Sequence, residues 1–144
     1  MARFDARSER NLAKLHPQLQ KVMVDACKTY NFIISDSSRN EIDQNKAYRM
    51  GFSRVKFGQS AHNWSPSLAA DCYPSPFNAN ESRSKMIELY QVIKQSAKNV
   101  GVSIRQGADF DRDGNLKNDQ WVDLPHVELC PWLEYSKTCK PYNG

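Results

Sequence analysis

The stretch Gly58-Gln59-Ser60-Ala61-His62-Asn63-Trp64-Ser65-Pro66-Ser67-Leu68-Ala69-Ala70-Asp71-Cys72-Tyr73-Pro74 sets a polar, histidine-bearing turn directly before a run of small apolar residues. Leu68 to Tyr73 reads as a buried strand, bounded by Pro66 and Pro74. Asp71 is out of place there. An ionised carboxylate is costly to bury unless it is paired or bound to a cation, so this acid is the most informative one in the chain. The segment Gln120-Trp121-Val122-Asp123-Leu124-Pro125-His126-Val127-Glu128-Leu129 holds a second histidine in a second expected strand, Val122 to Leu129.

Working outward, Leu19, Val22, Met23, Ala26, Cys27 and Tyr30 recur at three- and four-residue steps, which predicts a helix over Pro17–Tyr30. Pro17 suits its first turn. Phe32 to Ser35 is short, apolar and β-branched and predicts a strand leading into the polar turn Asp36–Ser38. A short helix over Glu41–Met50 follows. Met86, Leu89, Tyr90, Ile93, Ala97 and Val100 mark a further helix that stops at Gly101, and Val102–Arg105 reads as another strand. These elements predict an α+β fold: a small, mainly antiparallel sheet with packed helices. At 144 residues the chain suits a single domain, 1–144, with no separate wall-binding module. The tail from Pro131 onward is expected to cover one edge.

The 20 Lys and Arg against 16 Asp and Glu leave a formal charge of +4, which favours an anionic partner such as a cell wall. No aromatic-rich basic stripe accompanies the charge, so no nucleic-acid partner is expected. Met1-Ala2-Arg3-Phe4-Asp5-Ala6-Arg7 is charged where a secretory signal is apolar, and no run is long enough for a membrane span. Synthesis in the cytoplasm, no stable membrane association and a monomeric state are the expectations. Cys27, Cys72, Cys130 and Cys139 form no CxxC pair. Idle thiols are the default, with a Cys130–Cys139 pairing left open for an oxidising compartment.

A catalytic zinc takes about three imidazole or carboxylate ligands and keeps one open position. His62, Asp71 and His126 would supply that set, with the zinc site on the sheet. His16, before Pro17 at a helix start, suits a capping or surface role. Spacing alone equally allows both site histidines to be satisfied polar residues and Asp71 to cap a turn. Asp109, Asp111, Asp113, Asn115 and Asp119 resemble the opening of an EF-hand loop with Gly114 at the turn, a second site that would take calcium. Gln120 stands where the bidentate Glu belongs, and a solvated acidic turn is the alternative.

Three segments in order decide between these readings. Ser38-Arg39 with Gln44, Tyr48 and Gly51 comes first; Ser60-Ala61-His62-Asn63-Trp64 with Ser67-Leu68-Ala69-Ala70-Asp71 second; Asp123-Leu124-Pro125-His126 third. Together they resemble the zinc D-Ala-D-Ala carboxypeptidases and dipeptidases and the phage L-alanyl-D-glutamate endopeptidases of the same fold. The resemblance runs from about Leu15 to Leu133. It departs at Ser65-Pro66, two extra residues between the first histidine and the aspartate, at Ser67 in place of a common glycine, and at Asp123 where many relatives carry Glu.

The resemblance implies zinc held by His62, Asp71 and His126, with Asp123 as general base and Arg39 facing the substrate or the oxyanion. Ser60 would contribute to substrate binding, and Ser60 and Glu128 would hold the imidazoles through their second nitrogens. The implied activity is L-alanyl-D-glutamate endopeptidase on the peptidoglycan stem peptide, in a phage endolysin that reaches the wall after membrane lesion. A D-Ala-D-Ala carboxypeptidase or dipeptidase is the alternative within the same chemistry. A non-catalytic wall-binding or phage structural module is the alternative of another class.

Overall fold

The computed structural model describes residues 4–76, 82–112, 116 and 123–144. In chain order the elements are α1 (Ala6–Lys14), α2 (Pro17–Cys27), β1 (Phe32–Asp36), α3 (Glu41–Arg49), a 3-10 turn (Ala61–Asn63), β2 (Trp64–Ser65), β3 (Ala69–Pro74), α4 (Ser82–Val100), β4 (Ile104–Gln106), β5 (His126–Leu129), α5 (Trp132–Ser136) and β6 (Lys140–Pro141). Four strands form one sheet in the order β1-β3-β5-β4, each pair antiparallel. This is the α+β class expected from the sequence.

Successive side chains in a strand point to opposite faces, and here the two faces have different work. Ile34, Ala70, Cys72, Val127 and Leu129 join Leu19, Val22, Met23 and Ala26 of α2 and Leu89, Ile93 and Ala97 of α4 in one buried cluster. Asp71, His126, Glu128 and Arg105 occupy the alternate positions and line a cleft on the other face. The helix stripes read from periodicity are the ones that bury.

Helix α1 is short and mostly polar, with Leu12 packed against the core and Ser8 its one buried residue. Asp5 caps it by accepting from the Ser8 N–H at 2.8 Å, and Glu9 and Lys14 complement its two ends. Its polar side chains serve the free edge of β1: Ser8 Oγ accepts from the Ile34 N–H at 2.9 Å, and Asn11 Nδ2 donates to the Ile34 carbonyl at 2.7 Å. An exposed strand edge is thereby closed by side chains instead of another strand.

Strand β5 starts at His126 and not at Val122. Pro125 has no N–H for a ladder, and the His126 N–H closes a turn onto the Asp123 carbonyl at 3.0 Å. Val122 lies outside the described residues. The tail does not run along an edge of the main sheet. It forms α5, and β6 pairs with β2, placing Trp132 beside Trp64 and Tyr142 N–H on the Asn63 carbonyl at 2.8 Å. Ser65-Pro66, the apparent insertion, thus feeds a second ribbon. All four cysteines are free thiols, so Cys130 and Cys139 are not joined. Among the described residues no helix is long and apolar enough to cross a membrane.

Leu19 is fully buried and Val24, on the same helix, is 46% exposed. In urea unfolding, Leu19→Ala is expected to cost about 2–5 kcal/mol, whereas Val24→Ala stays within about 0.5 kcal/mol.

Candidate metal centre and its cleft

Asp71 on β3 sits directly opposite His126 on β5, so backbone register alone sets their side chains together on one face. His62 arrives from the 3-10 turn. Ser60 caps that turn, its hydroxyl accepting from the His62 N–H while Asn63 returns a bond to the Ser60 N–H. The turn is stitched to its surroundings by Leu68 N–H on the Ala61 carbonyl and Arg39 N–H on the His62 carbonyl at 2.7 Å.

Each imidazole is oriented by its outer nitrogen. His62 Nδ1 lies 2.6 Å from the Ser37 carbonyl, which only accepts, so Nδ1 carries the proton and Nε2 turns a lone pair inward, 3.3 Å from Asp71 Oδ1. His126 Nε2 donates to Glu128 Oε1 at 2.7 Å, leaving Nδ1 3.5 Å from the same Asp71 oxygen. Ser37, not Ser60, therefore holds the first imidazole, and Ser60 acts on the backbone of its turn. Glu128 holds the second.

One donor atom from each of His62, Asp71 and His126 lies within 4.8 Å of the other two. A tetrahedral ion with bonds of about 2 Å spaces its donors roughly 3.3 Å apart, which matches the observed contacts to Asp71. Two neutral imidazoles with pre-set tautomers and one carboxylate suit a divalent ion such as zinc. The two extra residues at Ser65-Pro66 do not prevent this convergence.

Burial by itself would raise the Asp71 carboxyl, but His62 and His126 hold it well below the usual carboxylate range. Burial by itself would lower His126, yet its bonds to Asp71 and Glu128 carry it up to about 10. A proton thus takes the cation's part when no metal is present.

Asp123 lines the same cleft. Burial and the neighbouring Asp71 charge push its carboxyl upward, against the pull of His126, His62 and Arg39. Its backbone is held on both sides: the Asp123 N–H donates to the Gly107 carbonyl at 2.9 Å, and the Gly107 N–H donates to the His126 carbonyl at 2.7 Å. A side chain on Gly107 would overlap the Asp123 carbonyl oxygen and approach His126 Cβ to 2.9 Å. Sequence reading passed over Gly107; a glycine next to a strand was the available signal for such close backbone approach.

Arg39 stands beside Asp71, with Nη2 3.5 Å from Oδ2. Its fork is largely occupied by the protein: Nε and Nη2 donate to Asp36 Oδ2 at 3.2 and 2.7 Å, and Nη1 donates to Gln44 Oε1 at 3.1 Å. Gln44 is fully buried and also accepts from Asn63 while donating to Ser53 and the Val55 carbonyl. His16 lies elsewhere and caps α2, its Nδ1 accepting from the Gln18 N–H. Of the expected calcium ligands, Asp113, Asn115 and Asp119 lie outside the described residues; Asp109 is buried and Asp111 exposed. The cleft is ≈ 670 Å³, with Phe52, Val55, Phe110 and Trp132 as apolar walls around the polar floor.

A sheet-borne His-Asp-His cluster with a further carboxylate lining an open cleft is a donor set that could hold one metal ion within reach of a bound substrate. The chain belongs to the phage L-alanyl-D-glutamate peptidase family, whose profile matches residues 1–130. Among solved structures it is similar in fold to the L-Ala D-Glu endopeptidase ChiX of Serratia marcescens, with a TM-score of 0.69 and 22% identity over 92% of this chain and 93% of that one. No curated protein sequence matches it.

Gly107→Ala is expected to cost about 1–3 kcal/mol of stability through overpacking and to weaken metal uptake, read by thermal melting and zinc titration. The pH dependence has a definite sign. His126 is raised from 6.5 to about 10 in the folded state, so its contribution to the metal-free protein is complete below pH 6.5 and lost as pH rises through about 10. Melting temperatures across that window should fall for metal-free protein and change little for zinc-loaded protein.

Proposed function

We propose that the protein is a zinc-dependent L-alanyl-D-glutamate endopeptidase that cuts the stem peptides of peptidoglycan as a phage endolysin. The observation that carries this reading is the convergence of His62, Asp71 and His126 beside Asp123, in a chain of the phage L-alanyl-D-glutamate peptidase family. Two imidazoles and one carboxylate are the ligand types expected for catalytic zinc, which favours that ion over calcium or magnesium. In this role the protein is made in the host cytoplasm and reaches the wall after the membrane is breached.

A bound zinc ion supplies Lewis acidity, polarising the scissile carbonyl and acidifying the attacking water. The chain's own residues do the rest. Asp123 accepts the proton of that water and passes it to the departing amine nitrogen, a task suited by a carboxyl raised above its ordinary value. Arg39 fixes Asp71 through their contact and adds positive potential where the carbonyl oxygen gains charge. Ser37 and Glu128 keep both imidazoles in the tautomers that present lone pairs inward. The apolar walls exclude water from the peptide on either side.

Purified peptidoglycan incubated with zinc-loaded protein, with and without chelator, tests the reading by mass analysis of the released ends. Chelator-sensitive cleavage between L-alanine and D-glutamate is expected; release of free D-alanine would instead identify a carboxypeptidase. Asp123→Asn should keep fold and zinc while turnover falls about 10²–10⁴-fold. His126→Ala should lose the metal itself, measured by atomic absorption.

A further inference from the structure

A glutamyl residue inside a peptide leaves one of its two carboxyls free, so a substrate cut before D-glutamate brings an anion next to the scissile nitrogen. The floor it approaches already carries Asp71, Asp123 and Glu128. That anion needs a cation of its own, and like charges this close otherwise oppose binding. Three arginines line the cleft. Arg39 is engaged by Asp36, Gln44 and Asp71, and Arg54 is partnered within the protein.

Arg105 is different. It stands opposite Glu128 in the β4–β5 register, and Nε and Nη2 both donate to Glu128 Oε2, at 3.1 and 2.8 Å. Nη1 has no protein partner among the described residues, and the side chain is 38% exposed to the cleft. The guanidinium lies 5.5 Å from the Phe110 ring centre, and that ring packs against His126 at 5.8 Å. Glu128 thus joins the metal ligand His126 through one oxygen and Arg105 through the other, a rigid strut that holds a cation with one free donor edge over the cleft.

We infer that Arg105 binds the free carboxylate of the residue that supplies the leaving amine, and so selects acidic over amidated stem peptides. The inference rests on the endopeptidase reading above. It assigns Arg105 a direct contact with substrate, whereas the alternative is a purely positioning role through Glu128.

Two synthetic peptides separate these roles: L-alanyl-γ-D-glutamyl-lysine with its α-carboxyl free, and the same peptide with that carboxyl as a carboxamide. For zinc-loaded wild-type protein, kcat/KM is expected to favour the acid about 10- to 100-fold, the range of a hydrogen bond to a charged group. In Arg105→Gln the ratio should collapse to about twofold or less with zinc content unchanged. Should that variant fold poorly, Arg105→Lys keeps a charge beside Glu128 but cannot span both carboxylates, and its ratio should drop severalfold. An equal loss on both peptides in the variants overturns the inference in favour of positioning. Equal cleavage of both peptides by wild-type protein overturns it while leaving the endopeptidase reading intact, and cleavage of neither removes both.

Discussion

The centre of this structure depends on one carboxylate, largely enclosed, with only 17% of the side chain exposed. Asp71 lies in a strand of small apolar residues, between neighbours that face the core, and its charge has to be met locally. The antiparallel register of β3 and β5 meets half of that need by setting His126 directly opposite. The 3-10 turn before β3 meets the other half with His62. Without a metal the site holds excess basicity, seen in His126, which a divalent ion at the same three donors would relieve by taking the proton's place.

Around these three side chains lies a ring of groups that stand outside the cluster but fix its geometry. The Ser37 carbonyl and Glu128 choose the tautomers. Gln44 and Asn63 use their amides fully, tying α3, Arg39 and the His62 turn into one polar network with little freedom to shift. Gly107 lets the strand β4 end close enough to Asp123 for the acid to reach the cleft. The Ser37–His62, Asn63–Gln44 and Gly107–Asp123 contacts cross between segments distant in sequence, so the site is as much a product of packing as of its donors.

The edges are managed with the same economy of elements. Helix α1 closes β1 with a serine and an asparagine, and the C-terminal ribbon braces the turn that carries His62. Trp64 and Trp132 meet at this junction, 6.4 Å between ring centres, so the tail contributes both a cleft wall and support for the turn that carries His62.

Much of this was legible in the chain itself because the physical signal is local. Helical periodicity marked α2 and α4, the short β-branched run marked β1, and an acid among small apolar residues marked Asp71 as a residue in need of a cation. The order of motifs singled out His62, His126, Asp123 and Arg39. What the sequence could not convey depends on contacts across tens of residues: α1, docked on β1 through Ser8 and Asn11; Ser37 in place of Ser60 as the partner of His62; Gly107 beneath Asp123; and Arg105 bound to Glu128. A sequence determines which groups are costly to bury and which repeat at helical spacing. Only the tertiary structure decides which backbone carbonyl meets which imidazole and which arginine meets Glu128, because those choices are made by strand register and close packing, not by neighbours along the chain.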